Sequence, residues 1–173
     1  GDNRIFGVVV GIVAKNYDEK MPGRVCVQIP IRDDDANELK WARVATLSGG
    51  KEWGHYFLPE IGDQVLIIFE QGNIEKPYVI GCVSKENDRF LTRSSDQKNQ
   101  IKRIVTRNGS TIQFDDLEDE DGKKDKLSVF TAGKERKIIL DNEKQEITIA
   151  DKEEKNKLEI CSEQGNINIS AEH

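Results

Sequence analysis

Few side chains in this sequence have the types and spacing that catalysis or metal binding requires. The cysteines, Cys26, Cys82 and Cys161, are odd in number and widely spaced. Zinc sites use short Cys-x₂-Cys spacings, and disulfide frameworks use an even count. We therefore interpret the three cysteines as buried, reduced strand residues. The two histidines, His55 and His173, lie too far apart to form a local ligand pair, so His55 is interpreted as structural.

Carboxylates are concentrated in two loops, Asp33-Asp34-Asp35 with Glu38 and the stretch Asp115–Asp121. Carboxylate oxygens suit calcium, but neither loop has the glycine-bearing pattern of a calcium loop, so both are interpreted as solvated. The sequence also contains no nucleophile elbow, phosphate loop or dinucleotide fingerprint. It therefore predicts no catalytic residue, no cofactor and no metal, and a protein that is not an enzyme.

The composition limits the function further. Of the 173 residues, 36% are hydrophobic and 34% are charged, so one chain can build only a modest core, and oligomerisation is a common remedy. The net charge is −6, with 11 basic against 14 acidic residues in 1–90 and 15 against 18 in 91–173. No basic stripe favours nucleic acid, and no apolar run approaches the roughly 20 residues that span a bilayer.

Residues 1–86 predict a small closed β-barrel. Short β-branched or alternating segments are separated by turns such as Pro22-Gly23 and Gln71-Gly72-Asn73, with no clear helix. About five or six short strands joined by tight turns are typical of such a barrel. The polar residues 87–103 are interpreted as a linker that leaves it.

Residues 104–173 have a different pattern, because their apolar residues come in pairs two positions apart, flanked by charged and turn residues. The last four pairs begin at positions 138, 147, 158 and 167, so the pattern repeats every 20 residues. Regular strand–turn spacing is typical of repeat architectures. The twelve paired residues are predicted to form the core of a trimeric shaft: Ile112, Phe114, Leu127, Val129, Ile138, Leu140, Ile147, Ile149, Leu158, Ile160, Ile167 and Ile169.

This shaft is predicted to need partner chains. Each strand offers two apolar side chains, which contribute roughly 1.5–3 kcal/mol each when buried. Ordering the backbone of a strand and its turn costs roughly 1–2 kcal/mol per residue. Identical chains wound together bring their apolar faces onto a common axis. Three chains give a triangular prism, although the sequence leaves other numbers open.

Several short motifs follow one another in the first part of the chain: Gly7-Val8-Val9-Val10, Pro22-Gly23-Arg24-Val25, Trp41–Ala45, Tyr56–Leu66, Gln71-Gly72-Asn73 and Pro77–Gly81. In combination they resemble the spike proteins of contractile injection systems, which include the valine-glycine repeat (VgrG) spikes of type VI secretion and the central spikes of phage baseplates. The resemblance covers most of residues 7–83, and Thr106–Asp116 is similar to the family's entry into its shaft.

The resemblance implies a non-enzymatic, all-β homotrimer in which an OB-fold base leads into an intertwined β-helix. It implies hub or tube proteins at the N-terminal side and a PAAR-type tip protein or an effector at the C-terminal end. Cytoplasmic assembly, or assembly in a virion tail, would precede delivery to the target envelope or extracellular space. We expect the chain to be a fragment of a longer spike or a small spike that docks on a separate hub. Some tips of the family bind iron through a His-x-His pair. That pair is absent here, so His173 is not predicted to be an iron ligand.

One alternative belongs to another functional class. An OB barrel can bind single-stranded nucleic acid through aromatic side chains in a positive groove. Trp41, Arg43, Trp53 and Tyr56 are the candidates for that role. The negative charge of the barrel region and the shaft repeats favour the spike, so no nucleic-acid partner is predicted.

Overall fold

The computed structural model describes residues 4–30, 38–117 and 120–172. The chain divides into two compact units, Gly1–Asp88 and Arg89–His173. The first unit contains a 3₁₀ turn at Glu70–Gly72 and the following strands: β1 (Val9–Lys15), β2 (Arg24–Ile29), β3 (Glu38–Val44), β4 (Gly49–Gly50), β5 (Trp53–Gly54), β6 (Gln64–Phe69) and β7 (Pro77–Cys82).

Five strands of the first unit close into a barrel in the order β1-β2-β3-β7-β6, as the sequence predicts. Neighbouring strands are antiparallel except β3 and β7, which are parallel and complete the closure. Successive side chains of a strand point to opposite faces, so β6 alternates half-buried and buried positions. The inward side chains pack into one core: Val13, Val25, Val27, Ile29, Ala42, Val65, Ile67, Phe69 and Val79.

Gly11 on β1 lies where the barrel leaves no room for a side chain. A Cβ atom there would be 2.6 Å from Ile67 Cδ1 and 3.0 Å from the carbonyl oxygen of Gln28. We expect Gly11→Ala to lower the free energy of unfolding of the barrel by roughly 1–3 kcal/mol, because overpacking forces neighbouring groups to shift. Thermal unfolding followed by circular dichroism measures the loss.

Gly81→Ala is the matched control, since a Cβ at Gly81 meets no atom within 4 Å. Ile67→Val removes the Cδ1 atom that obstructs the new methyl group. The double variant of Gly11→Ala and Ile67→Val should therefore lose less stability than the two single losses added together. Equal losses for Gly11→Ala and Gly81→Ala would show that this packing argument is wrong.

The second unit is a seven-stranded antiparallel sheet in which the strands follow one another in chain order. Short turns connect most of the strands, including 3₁₀ turns at Glu120–Gly122 and Ala132–Lys134. Its elements are α1 (Arg89–Ser94), β8 (Ile101–Val105), β9 (Thr111–Asp115), β10 (Lys126–Phe130), β11 (Arg136–Asp141), β12 (Glu146–Asp151), β13 (Lys157–Cys161) and β14 (Asn166–Ser170).

The segment 87–103, for which the sequence predicts a linker, contains α1 and the first residues of β8. Arg103 holds the helix to the strand: its Nε donates a hydrogen bond to Ser94 Oγ at 2.7 Å, and its guanidinium lies 5.2 Å from the centre of the Phe90 ring. A six-residue helix is too short to show a hydrophobic period. Among the described residues, no helix has the length and apolar composition needed to cross a membrane.

The all-β class is confirmed apart from this helix, but the pairing in the second unit differs from an intertwined arrangement. Each of β9 to β13 pairs with the strands before and after it in the same chain. The backbone partners of these strands, which an intertwined β-helix would take from other chains, therefore come from within one chain. The reason is the short turns, which reverse the chain before it could cross to another copy.

Candidate functional site

The twelve predicted shaft residues all lie on one face of the seven-stranded sheet, called here the apolar face. Residues two positions apart share a face, and the cross-strand register aligns the pairs in two columns. The first column contains Ile104, Ile112, Val129, Ile138, Ile149, Leu158 and Ile169. The second contains Phe114, Leu127, Leu140, Ile147, Ile160 and Ile167.

Ile104 is a member of the first column that the sequence analysis did not select. It faces Ile112 across the β8–β9 pair, while Lys102 takes the matching place in the second column opposite Phe114. Because Lys102 replaces one apolar residue of the pair, β8 lacks the two-residue signal of the other strands. No local signal identifies Ile104, because charged residues occupy both positions before it.

The apolar face is largely exposed in the single chain. Ile138 and Ile149, in the middle of the first column, retain 41% and 48% of their accessible surface, whereas Val27 in the barrel core retains 0%. A groove of about 590 Å³ opens on this face where Phe114, Leu127 and other residues line it. A contiguous exposed apolar surface of this extent is a mark of an interaction site.

The opposite face of the sheet is covered by its own long side chains. Ala150 is buried between its cross-strand neighbours Lys137 and Lys157. Lys157 Nζ forms an ion pair of 2.7 Å with Glu159, and this hydrogen bond raises the pKa of Lys157. Lysine stems can cover apolar surface while their ammonium groups remain in water. This polar face is therefore compatible with contact with water, whereas the apolar face is not.

The 20-residue repeat is confirmed by backbone hydrogen bonds between stacked turns. The N–H of Asn142 donates to the carbonyl of Asp125, and twenty residues later the N–H of Ser162 donates to the carbonyl of Gln145, both at 3.0 Å. The turns at the other strand ends repeat in the same way. There the N–H groups of residues 131 and 151 donate to the carbonyls of residues 136 and 156.

Asp151 organises the turn between β12 and β13. Its carboxylate accepts hydrogen bonds from the side-chain Nδ2 of Asn156 at 2.8 Å, from the backbone N–H of Asn156 at 3.2 Å and from that of Lys155 at 2.8 Å. These bonds, the side-chain bond foremost, hold the pKa of Asp151 below its ordinary value. The carboxylate thus closes a turn and is not directed at a ligand.

The other residues that could do chemistry do not converge. His55 Nδ1 lies 3.2 Å from Ser48 Oγ beside the small β4–β5 hairpin. Cys26 and Cys161 are buried as predicted, but Cys82, at the end of β7, is exposed, so the prediction of three buried cysteines was wrong for that residue. In the described segments, no group of three or more His, Cys, Asp or Glu side chains is placed to hold a metal ion.

Both acidic loops were interpreted as solvated. In the second, Asp115 accepts a hydrogen bond from Gln113 Nε2 and Asp116 pairs with Lys102 Nζ, both at 3.1 Å. The remainder of that loop is described only in part, because residues 118 and 119 lie outside the described residues. Two further candidates from the sequence also lie outside the described residues: Asp33-Asp34-Asp35 of the first loop, and His173.

The residues considered for nucleic-acid binding are distributed over β3, the β4–β5 hairpin and the segment after the hairpin, where Tyr56 is exposed. Trp41 and Arg43 flank the buried Ala42 on β3, so their side chains point away from the barrel core. The Arg43 guanidinium lies 5.7 Å from the ring centre of Tyr78. Trp53 is exposed on the hairpin, where its indole lies over Gly50. None of these observations gives the described part of the barrel the positively charged groove that single-stranded nucleic acid would need.

The sequence of the barrel matches a known family, and up to 79% of the chain resembles curated proteins. Residues 9–83 match the type VI secretion system/phage-baseplate injector OB domain. The chain is 27% identical over 141 residues to the type VI secretion system spike protein VgrG1b of Pseudomonas aeruginosa, a match covering 79% of this chain and 19% of that protein. It is 36% identical over 91 residues to spike protein VgrG2a of the same organism, covering 51% and 11%.

The match to VgrG1b extends past the barrel. Because the first unit ends at Asp88, a match that covers 79% of the chain must include part of the seven-stranded sheet. The chain spans about a fifth of the length of the curated relatives VgrG1b and VgrG1a. The closed five-stranded barrel fits the injector OB domain that residues 9–83 match, and the chain is similar to the spike proteins of the VgrG and phage-baseplate family.

Proposed function

We propose that this chain is a structural component of the spike of a contractile injection apparatus and that its working unit is a homotrimer. The observation that carries the proposal is the apolar face, whose two aligned columns span seven and six of the strands and are largely exposed in one chain. A sheet is stable in water when such a face is packed against another layer. Three copies of the sheet would bury their apolar faces around one axis.

The length of the strands favours three copies over other numbers. Strands of five to six residues are about 17–20 Å long. Three walls of that width form a triangular prism whose axis lies about 5–6 Å from each wall, which is close to half the roughly 10 Å spacing of packed sheets. One layer of isoleucine and leucine side chains fills that distance. Four such walls would leave an open channel, and two would leave the long sides of the sandwich open.

The proposed prism has the mechanical properties that a spike needs. Seven stacked strands extend about 29 Å along the axis, and their backbone hydrogen bonds run in the same direction. An axial load therefore acts along a continuous ladder of hydrogen bonds. The polar faces, with their lysine and glutamate side chains, lie outside and keep the prism soluble.

The relatives support the wider role. Their names describe spike proteins of type VI secretion, and the injector OB domain is shared with phage baseplates. By analogy, hub or tube proteins would adjoin the N-terminal side, and a PAAR-type tip or an effector would adjoin the C-terminal end. Contraction would then deliver the spike into the target envelope or the extracellular space. The proposed role involves no catalytic step.

Light scattering coupled to size-exclusion chromatography tests the trimer directly. We expect the purified 173-residue chain to elute with a mass that is a multiple of three chains, because burial of the apolar faces is complete only around a threefold axis. A single-chain mass at micromolar concentrations, with the circular dichroism of a folded β protein, would contradict the proposal.

A further inference from the structure

We propose that Arg136 of one copy pairs with Asp125 of the next copy, in a groove at the side of the seven-stranded sheet. This pairing rests on the proposed trimer and names the contact that joins neighbouring sheets where they meet. It lies beside the two apolar columns, so its charges can be changed without altering a residue of either column.

The two sides of the sheet carry different polar residues on the apolar face. Beside the second column, at the side called here the groove edge, lie Asp116, Asp125 and Asn142. Beside the first column, at the side called here the arginine edge, lie the cross-strand partners Arg136 and Asp151. Because residues two positions apart in a strand share a face, all five side chains lie on the same face as the columns.

The groove edge has more acidic than basic side chains. The groove of about 590 Å³ is lined by three carboxylates and two lysines. Lys102 Nζ pairs with Asp116 at 3.1 Å, and Lys126 Nζ lies 3.9 Å from Asp141, which is not part of the groove lining. Oδ1 of Asp125 accepts a hydrogen bond from a backbone N–H of its own loop, whereas its Oδ2 accepts none within the described residues. Neither lysine of the groove therefore neutralises Asp125.

The position of Asp125 increases the need for a cation. Asp115 and Lys126 are cross-strand partners, so continuing the register by one residue places Asp116 opposite Asp125. Like charges directly opposite each other destabilise a strand pair. Lys102 offsets the charge of Asp116, and a second cation would offset that of Asp125.

Arg136 has the chemistry and the position of that second cation. Its side chain is exposed, and within the described part of the chain its guanidinium forms no ion pair. Its cross-strand partner Asp151 instead accepts three hydrogen bonds from its own turn. The planar guanidinium fits a carboxylate, and the arginine stem can pack on apolar surface, which Leu127 and Leu140 provide in the groove.

A threefold axis would bring the two edges together. Rotation gives the three sheets the same orientation, so the groove edge of each copy meets the arginine edge of the next, and the contact closes in a ring. Asp125 immediately precedes β10 and Arg136 is the first residue of the neighbouring strand β11. The two residues therefore differ in height along the proposed prism by about one strand spacing, roughly 4.8 Å, which an arginine side chain can span.

An exchange of the two charges tests the pairing. We expect Arg136→Glu to weaken association of the 173-residue chain by roughly tenfold or more, the size typical of a close charge pair across an interface. Association is measured by sedimentation velocity at the urea concentration that dissociates half of the wild-type chains. Asp125→Arg should weaken it too. The double variant of Arg136→Glu and Asp125→Arg should associate more tightly than either single variant, because the exchanged charges attract each other again.

The matched control is Arg93→Glu, which reverses the charge of an exposed arginine on α1, outside the sheet, and should keep the wild-type association. A trimeric wild type whose association is unchanged in Arg136→Glu would overturn the pairing and leave the trimer intact. A double variant weaker than both single variants would show that the two residues are not partners. A single-chain mass for the wild type would contradict the trimer and the pairing with it.

Discussion

Replacing Ile147 by aspartate is expected to abolish the proposed trimer. Ile147 belongs to the second column of the apolar face, between Leu140 and Ile160 on the neighbouring strands. In a threefold prism the change places three carboxylates close to the axis, and each buried ion without a partner costs several kcal/mol. Because 1.4 kcal/mol corresponds to tenfold in affinity, we expect association to weaken by at least about 1,000-fold.

The measurement is the mass by light scattering, with circular dichroism as the record of the remaining fold. Ser162→Asp adds the same charge in an exposed turn of the same sheet and should leave the mass unchanged. Ile147→Val keeps an apolar side chain and should also retain the trimer, at a cost of roughly 0.5–1.5 kcal/mol per chain. An Ile147→Asp protein with the wild-type mass would show that the apolar face is not where copies meet.

The strands of the sheet and their shared face could be predicted because they are local properties of the sequence. A side-chain period of two fixes which residues share a face, and a repeat of 20 residues keeps that face constant from strand to strand. Pairs such as Ile138 and Leu140 or Ile147 and Ile149 therefore lie on one face of the sheet and opposite each other across β11 and β12. A shift of one residue would have moved every member of the two columns to the polar face.

The choice of pairing partners could not be predicted in the same way. The pattern of Leu158 and Ile160 is identical whether the next strand belongs to the same chain or to another. The strand register and the hydrogen bonds of the turns, such as that from Ser162 to Gln145, show that the chain pairs with itself. The parallel pairing of β3 with β7 is equally invisible in a local pattern, because it joins residues far apart in sequence.

The helix α1 was missed for a related reason. Its attachment depends on Arg103, a residue of the following strand that reaches back to Ser94 and Phe90. A polar segment with one short helix has the same composition as a linker, and tertiary contacts decide between them. The exposure of Cys82 was also missed. Cys82 is the last residue of β7, where the alternation of inward and outward side chains in the barrel ends.

The second large effect is expected in the barrel and should leave assembly untouched. Ile67 on β6 is the largest of the fully buried side chains in the described residues, with 0% of its surface exposed. Truncating such a side chain to alanine typically costs 2–5 kcal/mol, through lost burial and a residual cavity. For a unit of this size, 1 kcal/mol corresponds to roughly 4–8 °C, so we expect Ile67→Ala to lower the barrel's Tm by more than about 10 °C.

Below this transition, Ile67→Ala should keep the wild-type mass by light scattering, because the proposed assembly depends on the apolar face of the sheet and not on the barrel core. The opposite pattern is expected for Ile147→Asp, which should lose the oligomer while the barrel still unfolds near its original temperature. The two variants together thus assign stability to one unit and assembly to the other. Dissociation of the oligomer by Ile67→Ala at temperatures where the barrel remains folded would show that the barrel also joins the copies.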